Sequence, residues 1–197
     1  MYTLIGSVTS PYVRKLRLFF HYHNVSYEFK PIDYLEKNDA QFLKSINPIN
    51  KIPVLLIDGK PLYDSRIIYY YFANKLNLKP LSLEEENILS TIDAGMDTSI
   101  NLFSLRRGGI DIQNSGNAYI ERQKERIPLI LNALKPFVAN LNPNQETDWN
   151  FLTMSLYSYF YWGQFRNILD LSEFPEMLKF VDDFKNKPFL KETEIKA

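Results

Sequence analysis

Three short stretches of the sequence carry side chains that could do chemistry together. Thr9-Ser10-Pro11 places two hydroxyls directly before a proline, Lys51-Ile52-Pro53 places a cation and a proline before an apolar run, and Asp64-Ser65 pairs a carboxylate with a third hydroxyl. Polar groups at a helix start stabilise anions, and a short strand can pair with an extended peptide. These residue types predict a slot that holds a peptide backbone.

The first 77 residues predict the elements that would hold this slot. Ser10 before Pro11 is typical of a helix start, and Asn47 before Pro48 ends a helix because proline disfavours helical geometry in the residue before it. In order, the pattern predicts a strand at 2–6, a helix from Pro11 to about Asn24, a strand at Tyr27–Ile32, a weaker helix over about Ala40–Ile46, strands Val54–Ile57 and Lys60–Tyr63 joined by an Asp58-Gly59 turn, and a helix from about Ser65 to Leu76.

The rest of the chain predicts helices only, after a polar linker at 77–81. The predicted elements are a long helix that begins at a Ser82 capping box and ends before Gly108-Gly109, a helix from Ala118 toward Leu141 that Pro128 and Pro136 kink or split, an apolar helix Phe151–Trp162 capped by Thr147, and a helix Phe174–Lys185. We therefore predict two domains, an α/β domain over residues 1–77 and an all-α domain over residues 82–197.

Composition removes several classes of function. The chain has no cysteine and two histidines, His21 and His23, so we expect no disulfide, no metal centre and no cysteine nucleophile. Residues 1–78 hold ten Lys/Arg against six Asp/Glu, which suits a small anion but falls far short of the basic surface of a nucleic-acid binder. With no signal-peptide pattern and no apolar run of about 18 residues, we expect a cytoplasmic protein with no membrane partner.

The order and spacing of several motifs resemble the cytosolic glutathione transferase family. In the first half these are Ser-Pro-x-x-Arg-Lys from Ser10, Asn-Pro-x-x-Lys-Ile-Pro-Val-Leu from Asn47 and Asp-Ser-x-x-Ile from Asp64; in the second they are the runs 93–97 and 119–124, then Phe174-Pro175 and Lys187-Pro188-Phe189. The resemblance covers nearly the whole chain and is greatest to small bacterial members with serine or threonine at the thiol site. It implies a thioredoxin-like N-terminal domain followed by a helical C-terminal domain, the glutathione transferase fold.

The resemblance implies that Ser10 donates a hydroxyl hydrogen bond to the sulfur of glutathione and so stabilises the thiolate. Thr9 is the alternative donor, because a loop one residue longer or shorter would exchange the two hydroxyls. A plain helix cap is the competing interpretation of Ser10, since Ser-Pro is an ordinary helix start.

The resemblance also assigns the other residues of the slot. It implies a cis Ile52-Pro53 peptide bond that turns the following strand toward the cysteinyl part of glutathione, and Lys51 beside the glycine carboxylate. Asp64 and Ser65 would hold the glutamyl ammonium and carboxylate, although both could merely cap the helix that follows. Asp97 or Asp93 could reach the glutamyl group across a dimer interface.

The function implied is that of a glutathione transferase, with glutathione as co-substrate and no metal. The bound thiolate would attack a small apolar electrophile or a peroxide, and the aromatic run Tyr157, Tyr159, Tyr161 and Trp162, with Phe103, Arg106 and Arg107, could line the electrophile pocket or simply form core. A homodimer is expected, with the helix residues 69–72 as one contributor or as internal packing. The alternative is a non-catalytic interaction or regulatory protein that keeps the fold as a scaffold.

Overall fold

The chain folds as two compact units in the computed structural model, which describes residues 1–33 and 35–195. The first unit comprises residues 1–80 together with the C-terminal segment from Pro188, and the second comprises Leu81–Lys187. The sequence-based division instead placed all of 82–197 in the helical domain. The difference lies in the C-terminal segment, whose backbone is held by side chains of the first unit.

The first unit is a four-stranded sheet with three helices. Its elements are β1 (Tyr2–Gly6), α1 (Pro11–Tyr22), β2 (Glu28–Pro31), α2 (Lys37–Ile46), β3 (Val54–Ile57), β4 (Lys60–Tyr63) and α3 (Ser65–Lys75). The strand order is β2-β1-β3-β4, with β1 parallel to β2, β3 antiparallel to β1, and β4 antiparallel to β3. The thioredoxin-like arrangement expected from the sequence is confirmed.

Aromatic side chains of α1 and α3 form much of the packing in this unit. The rings of Phe19 and Tyr69 lie 5.3 Å apart and those of Phe20 and Phe72 lie 4.7 Å apart, both edge to face. Ring pairs in this geometry contribute about 0.5–1.5 kcal/mol beyond the apolar area that they bury. Tyr69 and Phe72, two of the residues considered for a dimer contact, are thus buried by packing within the chain.

The C-terminal segment is held by three polar side chains of α1. Arg14 is only 2% exposed, and its guanidinium donates to the Leu190 carbonyl at 3.3 Å. Arg17 donates to the Glu192 carbonyl at 2.8 Å, and the His21 ring stacks on Phe189 at 5.4 Å. A buried cation needs acceptors to offset its lost hydration, and the Leu190 carbonyl supplies one to Arg14.

The second unit is helical throughout its regular elements. They are α4 (Leu83–Arg107), α5 (Ala118–Ala139), a 3₁₀ turn at Glu146–Asp148, α6 (Phe151–Phe165) and α7 (Pro175–Phe184). Helix α5 runs as one element through both Pro128 and Pro136, so neither proline splits it.

The cap of α6 differs from the sequence prediction. Thr147 lies in the 3₁₀ turn, and the N-cap is Asn150, whose side chain accepts from the backbone N–H groups of Leu152 at 3.0 Å and Thr153 at 3.3 Å. The Thr153 hydroxyl in turn accepts from the Asn150 N–H at 2.9 Å, which closes a capping box. The prediction was wrong because the first helical N–H groups lie within reach of residue 150 and not of residue 147.

The aromatic run of α6 lies mainly in the core of the second unit. Tyr157, Tyr159 and Trp162 are buried, and Tyr161 is half-buried. The Tyr159 hydroxyl is 3.4 Å from the Ser99 hydroxyl, and complete burial raises the pKa of Tyr159 to about 12. A Cβ on Gly95 would come within 2.8 Å of the Tyr159 ring, so glycine makes room for this side chain.

Residues 1–33 and 35–195 show neither a membrane span nor a cluster of metal ligands. No helix in these ranges is long and apolar enough to cross a membrane. Nor does this described part of the chain bring together three or more His, Cys, Asp or Glu side chains that could hold a metal ion.

Candidate functional site

The register of the sheet brings the three chemical stretches to one edge. Ile5 pairs with Val54, and Val54 pairs with Tyr63. The β1–α1 loop follows Ile5 and Gly6, Pro53 precedes Val54, and Asp64 follows Tyr63. Because adjacent strands lie about 4.8 Å apart, the three connections leave the sheet within about 10 Å of one another.

Three hydroxyls line the β1–α1 loop. Ser10 is the N-cap of α1, and its Oγ accepts from the Val13 N–H at 3.3 Å. This is its one side-chain hydrogen bond within the described residues, so the Ser10 hydroxyl proton remains available to a ligand. The Thr9 hydroxyl lies 3.1 Å from the Ser7 hydroxyl, where either can be the donor. The Thr9 proton is therefore either donated to Ser7 or available to a ligand, whereas the Ser10 Oγ only accepts in its bond from Val13.

Gly6 allows α1 to begin close to the sheet. A Cβ at this position would lie 2.3 Å from Cγ2 of Val13, far inside van der Waals contact. Val13 is fully buried on the first turn of α1, the same turn that Ser10 caps. The absence of a side chain at Gly6 thus sets how near the Ser10 cap sits to the end of β1.

The second stretch is held by the buried side chain of Asn47. Its Nδ2 donates to the Lys51 carbonyl at 2.7 Å, and its Oδ1 accepts from the Ile49 N–H at 2.9 Å. Asn47 is only 2% exposed, so both bonds form out of bulk water. These contacts fix the loop that carries Lys51 and leads into Ile52-Pro53.

The Ile52-Pro53 bond is cis, as the sequence led us to expect. The N–H and C=O of Ile52 make no hydrogen bond within the described part of the chain, although the residue lies beside the start of β3. The Lys51 side chain is exposed. An extended peptide laid along this edge would therefore meet unpaired backbone groups and a cation.

The third stretch begins α3. Oδ1 of Asp64 accepts from the N–H groups of Arg66 at 2.8 Å and Ile67 at 3.4 Å, so this carboxylate caps the N-terminus of α3. Oδ2 of Asp64, and both the N–H and the hydroxyl of Ser65, form no hydrogen bond among the described residues. The same turn thus offers one carboxylate oxygen to a cation and two hydrogen-bond donors to an anion. The partial positive charge at the N-terminus of α3 further stabilises an anion bound there.

Asp64 also occupies an uncommon backbone conformation, with φ +76° and ψ 125°. A residue other than glycine in this region costs about 1–3 kcal/mol, and such strain clusters at ligand sites. The β4 pairing on one side and the α3 cap on the other hold Asp64 in place. The backbone conformation of Asp64 turns the chain sharply from the end of β4 into α3.

Other residues considered for the site belong to the second unit. Asp93 and Asp97 lie on α4, half-buried and exposed respectively. Arg106 donates to the backbone carbonyls of Arg166 and Asn167, the latter at 2.8 Å. It therefore tethers the segment that follows α6.

The sequence of the first unit matches a known domain family. The family described as glutathione S-transferase, N-terminal domain, matches residues 4–80. Residues 4–80 are thus similar to the N-terminal domain of glutathione S-transferases. The match includes each of the three stretches that meet at the sheet edge.

Curated relatives extend the similarity beyond this domain. An uncharacterised GST-like protein of Escherichia coli, YibF, is 27% identical over 202 residues, covering 97% of each chain. Glutathione S-transferase U18 of Arabidopsis thaliana is 41% identical over 75 residues, which are 38% of this chain and 32% of that protein.

Solved structures share the fold across both units. A glutathione S-transferase of Methylobacillus flagellatus with GSH bound has a TM-score of 0.81 at 19% identity, covering 98% of each chain. One of Methylobacterium radiotolerans, in complex with glutathione sulfonate, has a TM-score of 0.83 at 20% identity, covering all of this chain and 95% of the other. The fold of this chain is thus the glutathione transferase fold.

Sequence reasoning missed three residues that shape the site, namely Ser7, Gly6 and Asn47. The run Ser7-x-Thr9-Ser10 could have signalled a hydroxyl cluster. Asn47 was named as a helix end and as the first residue of a family motif but was given no role in the site, although asparagine before a Pro-containing loop often bonds backbone groups a few residues ahead.

Proposed function

We propose that the first unit binds reduced glutathione along the sheet edge and that Ser10 stabilises its thiolate for attack on a small electrophile or peroxide. The observation that carries the proposal is the convergence of three sets of available polar groups on one edge. An extended tripeptide is about 10 Å long, which matches the span of about 10 Å between the three connections that carry these groups.

Each end of glutathione would meet complementary charge. The N–H and hydroxyl of Ser65 would hold the glutamyl carboxylate at the start of α3, and Oδ2 of Asp64 would accept from the glutamyl ammonium. The unpaired backbone of Ile52 would pair with the cysteinyl residue. Lys51 would lie beside the glycine carboxylate.

The Ser10 hydroxyl would then donate to sulfur. A hydrogen bond to a charged group contributes about 1.5–3 kcal/mol, which corresponds to a fall of about 1–2 units in the pKa of the bound thiol. The start of α1 adds a favourable dipole for the thiolate. From a free thiol pKa of about 8.5, a fall of about 2 units makes the thiolate the dominant form at neutral pH, and a fall of about 1 unit makes it roughly a quarter of the bound thiol.

The protein would contribute positioning and anion stabilisation, and glutathione would supply the nucleophile. On binding, the thiol proton passes to solvent; the thiolate then forms a bond to the electrophilic atom, and the leaving group departs with its electron pair. Because the chain has no cysteine, glutathione provides the only thiol in this scheme. We further propose a homodimer in which Asp93 or Asp97 approaches the partner's glutamyl group.

Calorimetric titration with reduced glutathione at neutral pH tests the binding step, with oxidised glutathione as the comparison. Saturable binding tighter than about a millimolar is expected, because charged groups at both ends of the ligand find partners. No heat, together with no thermal shift, would refute the proposal and leave the scaffold function as the explanation of this fold.

An ultraviolet titration of bound glutathione thiolate tests the role of Ser10. Ser10→Ala should raise the pKa of the bound thiol by about 1–2 units while weakening binding by less than about tenfold. Ser10→Thr, which keeps the hydroxyl, should restore the low pKa. Thr9→Val is the matched control and should change little; a raised pKa in Thr9→Val alone would assign the role to Thr9 instead.

A further inference from the structure

A cavity of about 390 Å³ lies within the second unit and contains none of the residues of the proposed glutathione slot. Its walls come from α4, α5, the loop that follows α4 and the segment between α6 and α7. The volume falls within the range of about 300–1,000 Å³ that is usual for small-molecule sites.

The floor of this cavity is apolar. Leu102 on α4 and Leu131 on α5 are buried beneath it, and the side chains that complete the apolar surface are Ile112, Ile127, Ile168 and Phe174. Leu102 and Ile112 belong to one packed cluster, with Ile127 and Ile168 against it, so the floor is a continuous packed surface. Such a floor favours a ligand in proportion to the apolar ligand surface that it removes from water.

The rim of the cavity carries uncompensated negative charge. Lys124 is already engaged, with its Nζ 3.2 Å from the Glu121 carboxylate and 3.2 Å from the Gln113 carbonyl. Asp170 and Glu173 form no ion pair within the described ranges of the chain. The Ser172 N–H, which donates to the Asp170 carboxylate at 2.8 Å, holds the pKa of that group below its usual range.

A third acceptor comes from the helix itself. Pro128 lies inside α5 and has no N–H to donate to the Lys124 carbonyl, four residues earlier. Both residues line the cavity, so the part of α5 that borders it contains a carbonyl without its ordinary helical donor. Two carboxylates and one carbonyl around an apolar floor form an arrangement suited to a hydrogen-bond donor with positive charge.

We propose that this cavity binds a small organic cation, an ammonium group on an apolar aromatic or alkyl body. The ammonium would lie among Asp170, Glu173 and the Lys124 carbonyl, and the apolar body would cover the floor. The site is independent of the proposed glutathione slot, and its occupation does not depend on the proposed transferase activity.

Three probes of similar size and different charge test this assignment: 2-phenylethylammonium, neutral 2-phenylethanol and anionic phenylacetate. Amide chemical shifts of the full chain are followed during each titration, with and without saturating glutathione. Around the cavity, the shifts should saturate with the ammonium at about two- to fivefold lower concentration than with phenylacetate, a modest ratio because the carboxylates are exposed. The difference should narrow as salt is raised.

Two variants test the two parts of the site. Glu173→Gln with Asp170→Asn should remove the charge preference yet keep weak binding of all three probes, and Ile127→Phe should weaken all three by filling the cavity. Glu125→Gln, on the same helix but outside the cavity lining, is the matched control. Equal saturation by the ammonium and phenylacetate in the unmodified chain, or a preference that survives the double substitution, would overturn the proposal.

Discussion

Asn47 offers the sharpest test of how the candidate slot is built, because its side chain touches only backbone groups in the bonds described above. Asn47→Ala removes both the 2.7 Å bond to the Lys51 carbonyl and the 2.9 Å bond from the Ile49 N–H. Each bond contributes about 1 kcal/mol, and a buried group left unpaired costs more, so a total loss of about 2–4 kcal/mol of stability is expected. The residue shapes the slot without reaching the ligand.

The effect on binding follows from the loop that Asn47 restrains. If the loop must reorder when glutathione binds, ordering the equivalent of one residue costs about 1–2 kcal/mol, which weakens affinity by about 5- to 30-fold. In a transferase assay the loss should appear chiefly in KM for glutathione, with kcat little changed, because the Ser10 cap is untouched.

Calorimetry and urea unfolding of Asn47→Ala, Asn47→Asp and Asn38→Ala give the needed comparison. The Asn47→Asp substitution would keep the acceptor for the Ile49 N–H but place a carboxylate oxygen against the Lys51 carbonyl, so it should lose affinity at least as strongly as Asn47→Ala. Asn38 is exposed on α2 and serves as the control. Affinity of Asn47→Ala equal to that of Asn38→Ala would refute the assigned positioning role.

Three other residues give tests based on single contacts. Gly6→Ala should destabilise the protein by about 1–3 kcal/mol in urea unfolding because its Cβ would lie 2.3 Å from Val13. The same substitution in a Val13→Ala background should cost less stability. An equal loss in both backgrounds would mean that the clash is not the cause. Asp64→Asn keeps the α3 cap but loses the charge, so glutathione affinity should fall about three- to tenfold by calorimetry while the Glu36→Gln control stays unchanged. Burial raises the pKa of Tyr159 to about 12, above its unfolded value of about 10, so the phenol ionises first in the unfolded state. The free energy of unfolding should therefore fall between about pH 10 and 12, by about 1.4 kcal/mol per pH unit at most. In urea unfolding at pH 9 and 11, Tyr159→Phe should lose less stability between the two pH values than the unmodified protein, and equal losses would contradict the assignment.

Local sequence signals predicted most of the first unit, because each of its elements has its own cue. Ser10-Pro11 marked the start of α1, and Asp58-Gly59 marked the hairpin turn, where both residues adopt positive φ in the structure. The pairing of Ile5 with Val54 and of Val54 with Tyr63 could not be derived from any one of these cues. It depends on long-range register, and that register gathers the candidate site.

Most failures of sequence reasoning share a cause, which is contact between residues far apart in the chain. The burial of Arg14 could not be predicted from the local sequence, because its acceptor, the Leu190 carbonyl, lies 176 residues away. Tyr157 and Tyr159 fit either a core or a pocket wall, since helical spacing shows which side chains share a face but not what covers that face. The α6 cap was a smaller error of local position, of the kind that helix boundaries commonly show.

The C-terminal segment gives this protein a particular order of synthesis and assembly. Residues 188–195 leave the ribosome after the whole helical unit, yet they supply the carbonyl acceptors for Arg14 and Arg17 on α1. The sheet unit therefore completes its packing only with chain that is made after Leu81–Lys187. Until those residues emerge, the Arg14 cation lacks the Leu190 acceptor, so translation pauses or fusions placed near Pro188 would act on the sheet unit rather than on the helices that precede Pro188.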